Sequence, residues 1–430
     1  MKKRVVITGI GPLSSIGEGK ISFWSNLIKA KTNIRLEKLY FDNDSPYQYY
    51  LHKINNFKIT NFKINHDKLN EISQWKNDNE VRDLFYFIAT IKLAIDDSKL
   101  CYDEKSRNIG LILAHENPGL GEFYSAFINE SYRLLANRKS KLSKKDFFNL
   151  IFKKFGKTAY DLQTFMYVYH ISKVFDLHGF SLFINNACAS GLYAVEFASN
   201  LIRSRKCDVV IISAVDYPDI FKYLWFKKIN MYSDDGKIRP FSESSNGLVF
   251  GDGGASIVLE DLQHALNRKA NIYAEYSGGG FNLEAWKVSL PDIKGNFYKE
   301  AFLTALKQSK IKLKDIDLIN AHGVGTKILD MHEARNLKDI YCKTGNMPPV
   351  TAFKPYFGHN LGGSTLLEVC VLCLCLENNL AIPILNCENP IYKTKLNYCL
   401  SKKALKLRAV IKICSAFAGF NGAAVFRKLN

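Results

Sequence analysis

Cysteine is scarce, with ten in 430 residues, which is too few for a disulfide-stapled scaffold. No secretory leader is expected from the opening residues. After Met1-Lys-Lys-Arg4 comes only the short apolar run Val5-Val6-Ile7-Thr8-Gly9, with Pro12 close behind, and this reads as a first buried strand rather than a signal sequence. Long hydrophobic runs are missing too. The longest, Leu366 to Leu376, is interrupted by Glu368 and is well under the roughly 20 residues of a membrane span. The expectation is a cytoplasmic chain with free thiols and no membrane span. No short-period repeat is visible, which excludes a solenoid. Acidic residues are in deficit, 41 against 59 Lys and Arg, for a formal net charge of +18.

What is present is 47% hydrophobic and 23% charged, the profile of a globular chain with a sizeable core. The basic excess is uneven. Arg138 to Lys157 holds eight Lys or Arg against one acid, Asp146, and Lys402 to Lys412 holds five against none. Three readings stay open: plain solvated surface, a nucleic-acid face without any recognised motif, or a dock for an acidic protein. Cys370, Cys373 and Cys375 lie close together in an apolar helical segment without nearby histidines, so they read as core thiols and no metal site is assigned.

Strand-like runs alternate with helical patterns from end to end, which predicts layered α/β architecture. The expected strands are Val5–Gly9, Ile109–Leu113, Phe180–Ile184, Val209–Ser213, Ala255–Leu259, Leu318–Asn320 and Ala409–Ile413. Between them fall expected helices such as Phe85–Leu100, Ser190–Arg205, Asn296–Ser309 and Ser364–Glu377. Residues 40–79 look irregular or inserted, and 116–170 form a basic, aromatic excursion suited to a cap or a subunit contact. The polar shift at 261–270 marks a boundary between halves, 1–262 and 263–430.

Phe180 to Ala198 carries the sharpest local signal. A strand ends at Ile184, a small-residue turn holds Cys188, and a helix starts near Ser190. That corner sets a thiol at a helix N-terminus, whose free N–H groups favour thiolate, while Ala187, Ala189 and Gly191 leave room beside the sulfur. An inert buried cysteine and a nucleophile remain equally open on this ground alone. Two histidines lie in glycine-flanked loops after apolar strands: His322 in Asn320-Ala-His-Gly-Val-Gly325-Thr326, and His359 in Lys354-Pro-Tyr-Phe-Gly-His359-Asn-Leu-Gly-Gly363. Either alone is more often structural than catalytic.

Together, Asn186-Ala-Cys188-Ala-Ser-Gly191, Asn320-Ala-His322-Gly323 and Lys354-x4-His359 resemble the elongating β-ketoacyl-[acyl-carrier-protein] synthases of the thiolase superfamily. The resemblance runs from Arg4-Val-Val-Ile-Thr-Gly-Ile-Gly11 through Phe250-Gly-Asp-Gly-Gly-Ala255 to Ser415-Ala-Phe417-Ala-Gly-Phe-Asn421-Gly422. It implies an α/β thiolase-like fold of two similar halves with mixed sheets layered between helices, and a site where the halves meet. By that resemblance Cys188 takes the acyl chain, while His322 and His359 promote malonyl decarboxylation as neutral N–H donors. Lys354 and Glu368 organise charge around them, and Asp330 and Glu333 are structural. The N–H groups of Cys188 and Phe417 form the oxyanion hole, with Phe417 also the gate.

There are departures. Ala416 and Ala418 replace the gate's usual glycines, Phe420 stands at a small polar position, and Val324 replaces the first hydroxyl after His322 while Thr326 keeps the second. These suggest a specialised synthase. The resemblance implies no bound cofactor, since substrates ride on the phosphopantetheine of acyl carrier protein. The implied partners are that carrier and a second subunit, either identical or a chain-length-factor-like chain. Cys188 with both histidines argues against this chain being the non-catalytic partner, and the setting of Cys414 lacks the thiolase pattern.

Overall fold

In the computed structural model, which describes residues 3–39, 47–73, 82–101, 108–136, 143–342, 347–392 and 395–429, ten strands run edge to edge through the chain. In sequence order they are β1 (Val5–Ser14), β2 (Ile109–Ala114), β3 (Ser181–Ile184), β4 (Val209–Asp216), β5 (Gly253–Asp261), β6 (Ala274–Leu283), β7 (Leu318–Asn320), β8 (Val350–Thr351), β9 (Ala409–Ser415) and β10 (Phe420–Arg427). Their spatial order is β3-β2-β4-β5-β1 followed by β6-β10-β9-β7-β8. Read outward from the β1–β6 junction, both groups of five follow the same permutation. The first strand pairs antiparallel with the fifth and the fifth antiparallel with the fourth. The fourth then runs parallel to the second and the second parallel to the third. Val5↔Tyr276, Val6↔Glu275 and Ile7↔Ala274 join the groups. Two mixed five-stranded groups of one topology, joined edge to edge at β1 and β6, are the thiolase-like pair of similar halves expected.

Helices fill the layers. Arg82–Ser98 covers the outer face of the first group, packing its aromatic and aliphatic residues with Leu111, Leu113 and Ile211. Phe297–Ser309 and Lys327–Tyr341 cover the outer face of the second group. The central layer holds one helix from each half, Ser190–Arg203 and Ser364–Asn378, in a single core with residues of β1, β4, β5, β9 and β10. Ser364 to Leu376 are all buried. Burial of each such Leu or Val contributes on the order of 1.5–3 kcal/mol, and a helix apolar on every side can only sit inside a core. With the turn before it, this segment is long and apolar enough to cross a membrane, but 89% of Leu361–Asn378 is buried inside the protein.

Several expectations need correction. β1 runs on past Pro12 to Ser14. β6 and β10 did not stand out in the sequence, because Ser277-Gly-Gly-Gly280 and Asn421-Gly-Ala-Ala424 have poor strand propensity. The glycines serve packing: a Cβ on Gly280 would sit 2.2 Å from the Ala301 carbonyl of the covering helix. Within 40–79, Tyr47–His52 is a strand, paired antiparallel with Ile34–Leu39 and parallel to Phe250–Gly251, while 40–46 and 74–80 lie outside the described residues. Among the described residues, the excursion after β2 forms the helices Leu120–Ala136 and Lys144–Asp161 and most of a third, Thr164–Phe175.

Candidate active site

Cys188, His322, His359 and Phe417 line one cleft, walled by Phe226, Met231 and Leu248. Each arrives on a different element. Cys188 sits in the turn between β3 and Ser190–Arg203, which is closed by Ala187 in the left-handed region (φ 49°). His322 follows β7, and its loop is held by acids from the next helix. Glu333 accepts from the His322 and Gly323 N–H groups, both at 2.8 Å. Asp330 accepts from Val324, Gly325 and Phe241 N–H. Both acids thus fix backbone and do not line the main cleft. His359 is pinned by its own N–H to the Val249 carbonyl at 2.8 Å, and its Nδ1 meets Ser364 Oγ at 2.7 Å.

The imidazole rings stand edge to face, 5.7 Å between centroids and 85° apart. Behind them lies a fully buried charge network. Lys354 Nζ donates to the His322 carbonyl (2.6 Å) and Glu368 Oε1 (3.0 Å), and lies 3.4 Å from His322 Nδ1. Lys412 Nζ pairs with Glu368 Oε2 at 2.8 Å. An ammonium can only donate, so His322 Nδ1 is the acceptor and its Nε2 carries the proton. Burial, reinforced by the charges of Lys354 and Lys412, holds both histidines well below their ordinary 6.5. They are neutral at physiological pH, so each ring has one N–H to donate and one nitrogen to accept.

Cys188 departs from expectation. It is 4% exposed, and burial, followed by the carboxylate of Glu116, pushes its thiol up rather than down. The sulfur donates to Glu116 Oε1 at 3.5 Å, so the helix N-terminus is outweighed by desolvation and a neighbouring negative charge. The expected room beside the sulfur is also partly taken. A Cβ at Gly191 would lie 2.8 Å from Thr365 Oγ1, and that hydroxyl accepts from Leu192 N–H at 3.0 Å. Gly191 therefore allows the two central helices to touch.

Similarity to known proteins bears on this arrangement. Residues 2–265 match the family model described as beta-ketoacyl synthase, N-terminal domain, and 273–388 match beta-ketoacyl synthase, C-terminal domain. The chain belongs to the β-ketoacyl synthase family. Among relatives, a 3-oxoacyl-[acyl-carrier-protein] synthase 2 of Coxiella burnetii is 26% identical, aligned over 100% of this chain and 99% of that protein. The tetracenomycin polyketide synthase ketoacyl synthase alpha subunit of Streptomyces glaucescens is 27% identical over 99% and 97%. A solved structure titled the ishigamide ketosynthase/chain length factor superposes with a TM-score of 0.85 at 24% identity, over the full length of both chains.

This β-ketoacyl synthase is an acyltransferase, and its remaining expected site residues fall as follows. Phe417 stacks on Phe226, with centroids 4.9 Å apart and planes 6° apart. Ala418 beside it is held at φ 60°, a left-handed conformation that costs a non-glycine residue about 1–2 kcal/mol. Phe420 turns to Tyr193, edge to face at 5.9 Å. Thr326 is buried at the start of Lys327–Tyr341 and lies outside the cleft lining, and its hydroxyl has no hydrogen-bond partner among the described residues. Val324 does line the cleft. Cys414 belongs to the central core and is pushed up to about 12 by burial, so the cleft holds one thiol at its surface.

Three residues that matter here escaped the sequence reading. Lys412 was grouped with a basic surface run, yet it is fully buried, and its place within the apolar alternation of β9 was the available signal. Ser364, five residues after His359, starts the helix that backs the site. Glu116 follows β2 with no motif to mark it.

Proposed function

We propose that the chain catalyses a decarboxylating Claisen condensation in fatty-acid or polyketide assembly, with the 1–262 half supplying the nucleophile and the 263–430 half the histidines. Cys188 accepts the acyl group from the phosphopantetheine arm of an acyl carrier protein. His322 Nε2–H and the His359 ring then donate to the thioester oxygen of malonyl-carrier protein as carbon dioxide leaves. The resulting carbanion attacks the Cys188 thioester, whose oxygen is received by the N–H groups of Cys188 and Phe417. Lys354, tied by Glu368 to Lys412, keeps His322 in the donating tautomer. Phe417, which lines the cleft, is assigned to gating the arm's entry, while the buried Thr326 hydroxyl lies outside the cleft lining and is given no contact with the arm.

The observation that carries this reading is the convergence of one thiol and two neutral imidazoles on a single cleft. No resident cofactor or metal is required. All ten cysteines are free, which suits a reducing cytoplasm. The exposed Tyr132, Leu135, Phe148 and Phe152 on the helices after β2 favour a second subunit covering them, either a second copy or a chain-length-factor-like mate. Incubation with acyl- and malonyl-carrier proteins, read by intact mass, tests the reaction. The acyl mass is expected on Cys188, and the extended β-keto product on the carrier. Carbon dioxide release that survives both His322→Ala and His359→Ala would remove the histidines from the mechanism.

A further inference from the structure

The hydrogen-bonding side chain at the Cys188 sulfur is Glu116, with Oε1 3.5 Å from Sγ. It does not line the cleft, and it is held rigidly from behind. Its N–H donates to Asp216 Oδ2 at 3.3 Å, and its carbonyl accepts from the Asn185 side chain. Lys222 Nζ lies 3.9 Å from Oε2 and 2.7 Å from Asp216 Oδ1. Asp219 also acts on that lysine. His115 stands between Asp216 (3.6 Å) and Asp83 (3.0 Å). Lys354 acts on the sulfur from the histidine side. A carboxylate buried against a nucleophilic sulfur and backed by this ion network is an arrangement that the condensation steps above do not use.

We infer that Glu116 is the proton acceptor for Cys188 during acyl loading. The inference rests on the reading of Cys188 as the acyl site. As the sulfur attacks the carrier-bound thioester, the S–H proton moves to Glu116 Oε1, the new C–S bond forms, and the bond to the carrier arm breaks. The departing arm leaves as the thiol, taking up one proton, and Glu116 returns to carboxylate. The histidines are poor alternatives, because burial and two lysine charges keep them weakly basic. Burial raises Glu116 itself, which brings a carboxylate closer to the basicity that proton transfer from a thiol needs.

Glu116→Gln separates this role from a structural one, because two readouts should move in opposite directions. Loading of Cys188 from acyl-carrier protein, followed by intact mass, should fall about 100-fold at pH 7 and recover as pH rises. Iodoacetamide labelling of Cys188, followed by peptide mass, should become severalfold faster at pH 7, since a neighbouring negative charge no longer opposes thiolate. Glu116→Asp, which keeps the charge with a shorter reach, should load faster than Glu116→Gln. Loading by Glu116→Gln within threefold of the unmodified protein, or loading and labelling falling together in both variants, would overturn the assignment. Acyl mass that persists in Cys188→Ala would instead overturn the reading of Cys188, whatever Glu116 does.

Discussion

Cys188 and the two histidines show how far burial governs chemistry at single residues. A helix N-terminus alone predicts a reactive thiolate. In the folded chain the thiol is raised, while Cys101 and Cys342 are the exposed thiols. Peptide mass mapping after brief iodoacetamide treatment should therefore find Cys101 and Cys342 modified first and Cys188 later; first modification at Cys188 would mean that its thiolate form is favoured after all. The histidines make a matching prediction. Their folded-state values lie well below the ordinary 6.5, so on acidification the unfolded chain takes up protons before the folded one. Stability should fall as pH drops below about 6.5, measured by urea titration at several pH values. Carbon dioxide release, by contrast, should show no inflection near 6.5, because neither ring gains a proton there. An inflection at that pH would mean that one ring titrates normally.

At the scale of elements, the Cys-His-His frame was legible because each residue lies in a short motif at the end of an apolar strand. The support behind it was less so. Glu368 joins three elements, the turn Lys354–Phe357, the helix Ser364–Asn378 and β9, by holding Lys354 and Lys412 on its two oxygens. No local pattern reveals that a lysine in β9 faces a glutamate 44 positions earlier, since the contact exists only after the helix Ser364–Asn378 has packed against β9. The same reason hid β6 and β10, whose glycines and alanines are chosen for close helix packing rather than strand propensity. Glu368→Gln leaves two ammonium groups facing each other without a countercharge and should cost about 3–5 kcal/mol. Burial and Lys354 already lower Lys412, so that lysine is the one expected to lose its proton in the variant. The loss should therefore shrink as pH is raised, and denaturant midpoints measured across pH would show it. A constant penalty would place the damage in packing instead.

Over the whole molecule, the excess of positive charge divides into parts with different jobs. Lys354 and Lys412 are internal and belong to the site. Lys144, Lys145, Lys153 and Lys154 lie exposed on the helix beside Phe148 and Phe152, the surface assigned above to a second subunit. At the cleft itself, Lys287 is exposed beside Trp286, with its ammonium 5.7 Å from the indole ring centre, and its loop, Lys287 to Pro291, forms one wall. In the reaction proposed above, an acidic carrier protein delivers its arm to the cleft that this loop lines together with Cys188. Charge here steers encounter rather than chemistry, and within a Debye length of about 10 Å at 0.1 M salt it is only partly screened. Lys287→Glu should therefore raise KM for acyl-carrier protein several-fold with kcat unchanged, and the rise should fade as salt increases. A free acyl-pantetheine substrate, which lacks the acidic protein, should be turned over equally by both forms. A matching loss on that small substrate would show that Lys287 shapes the cleft rather than guiding the carrier to it.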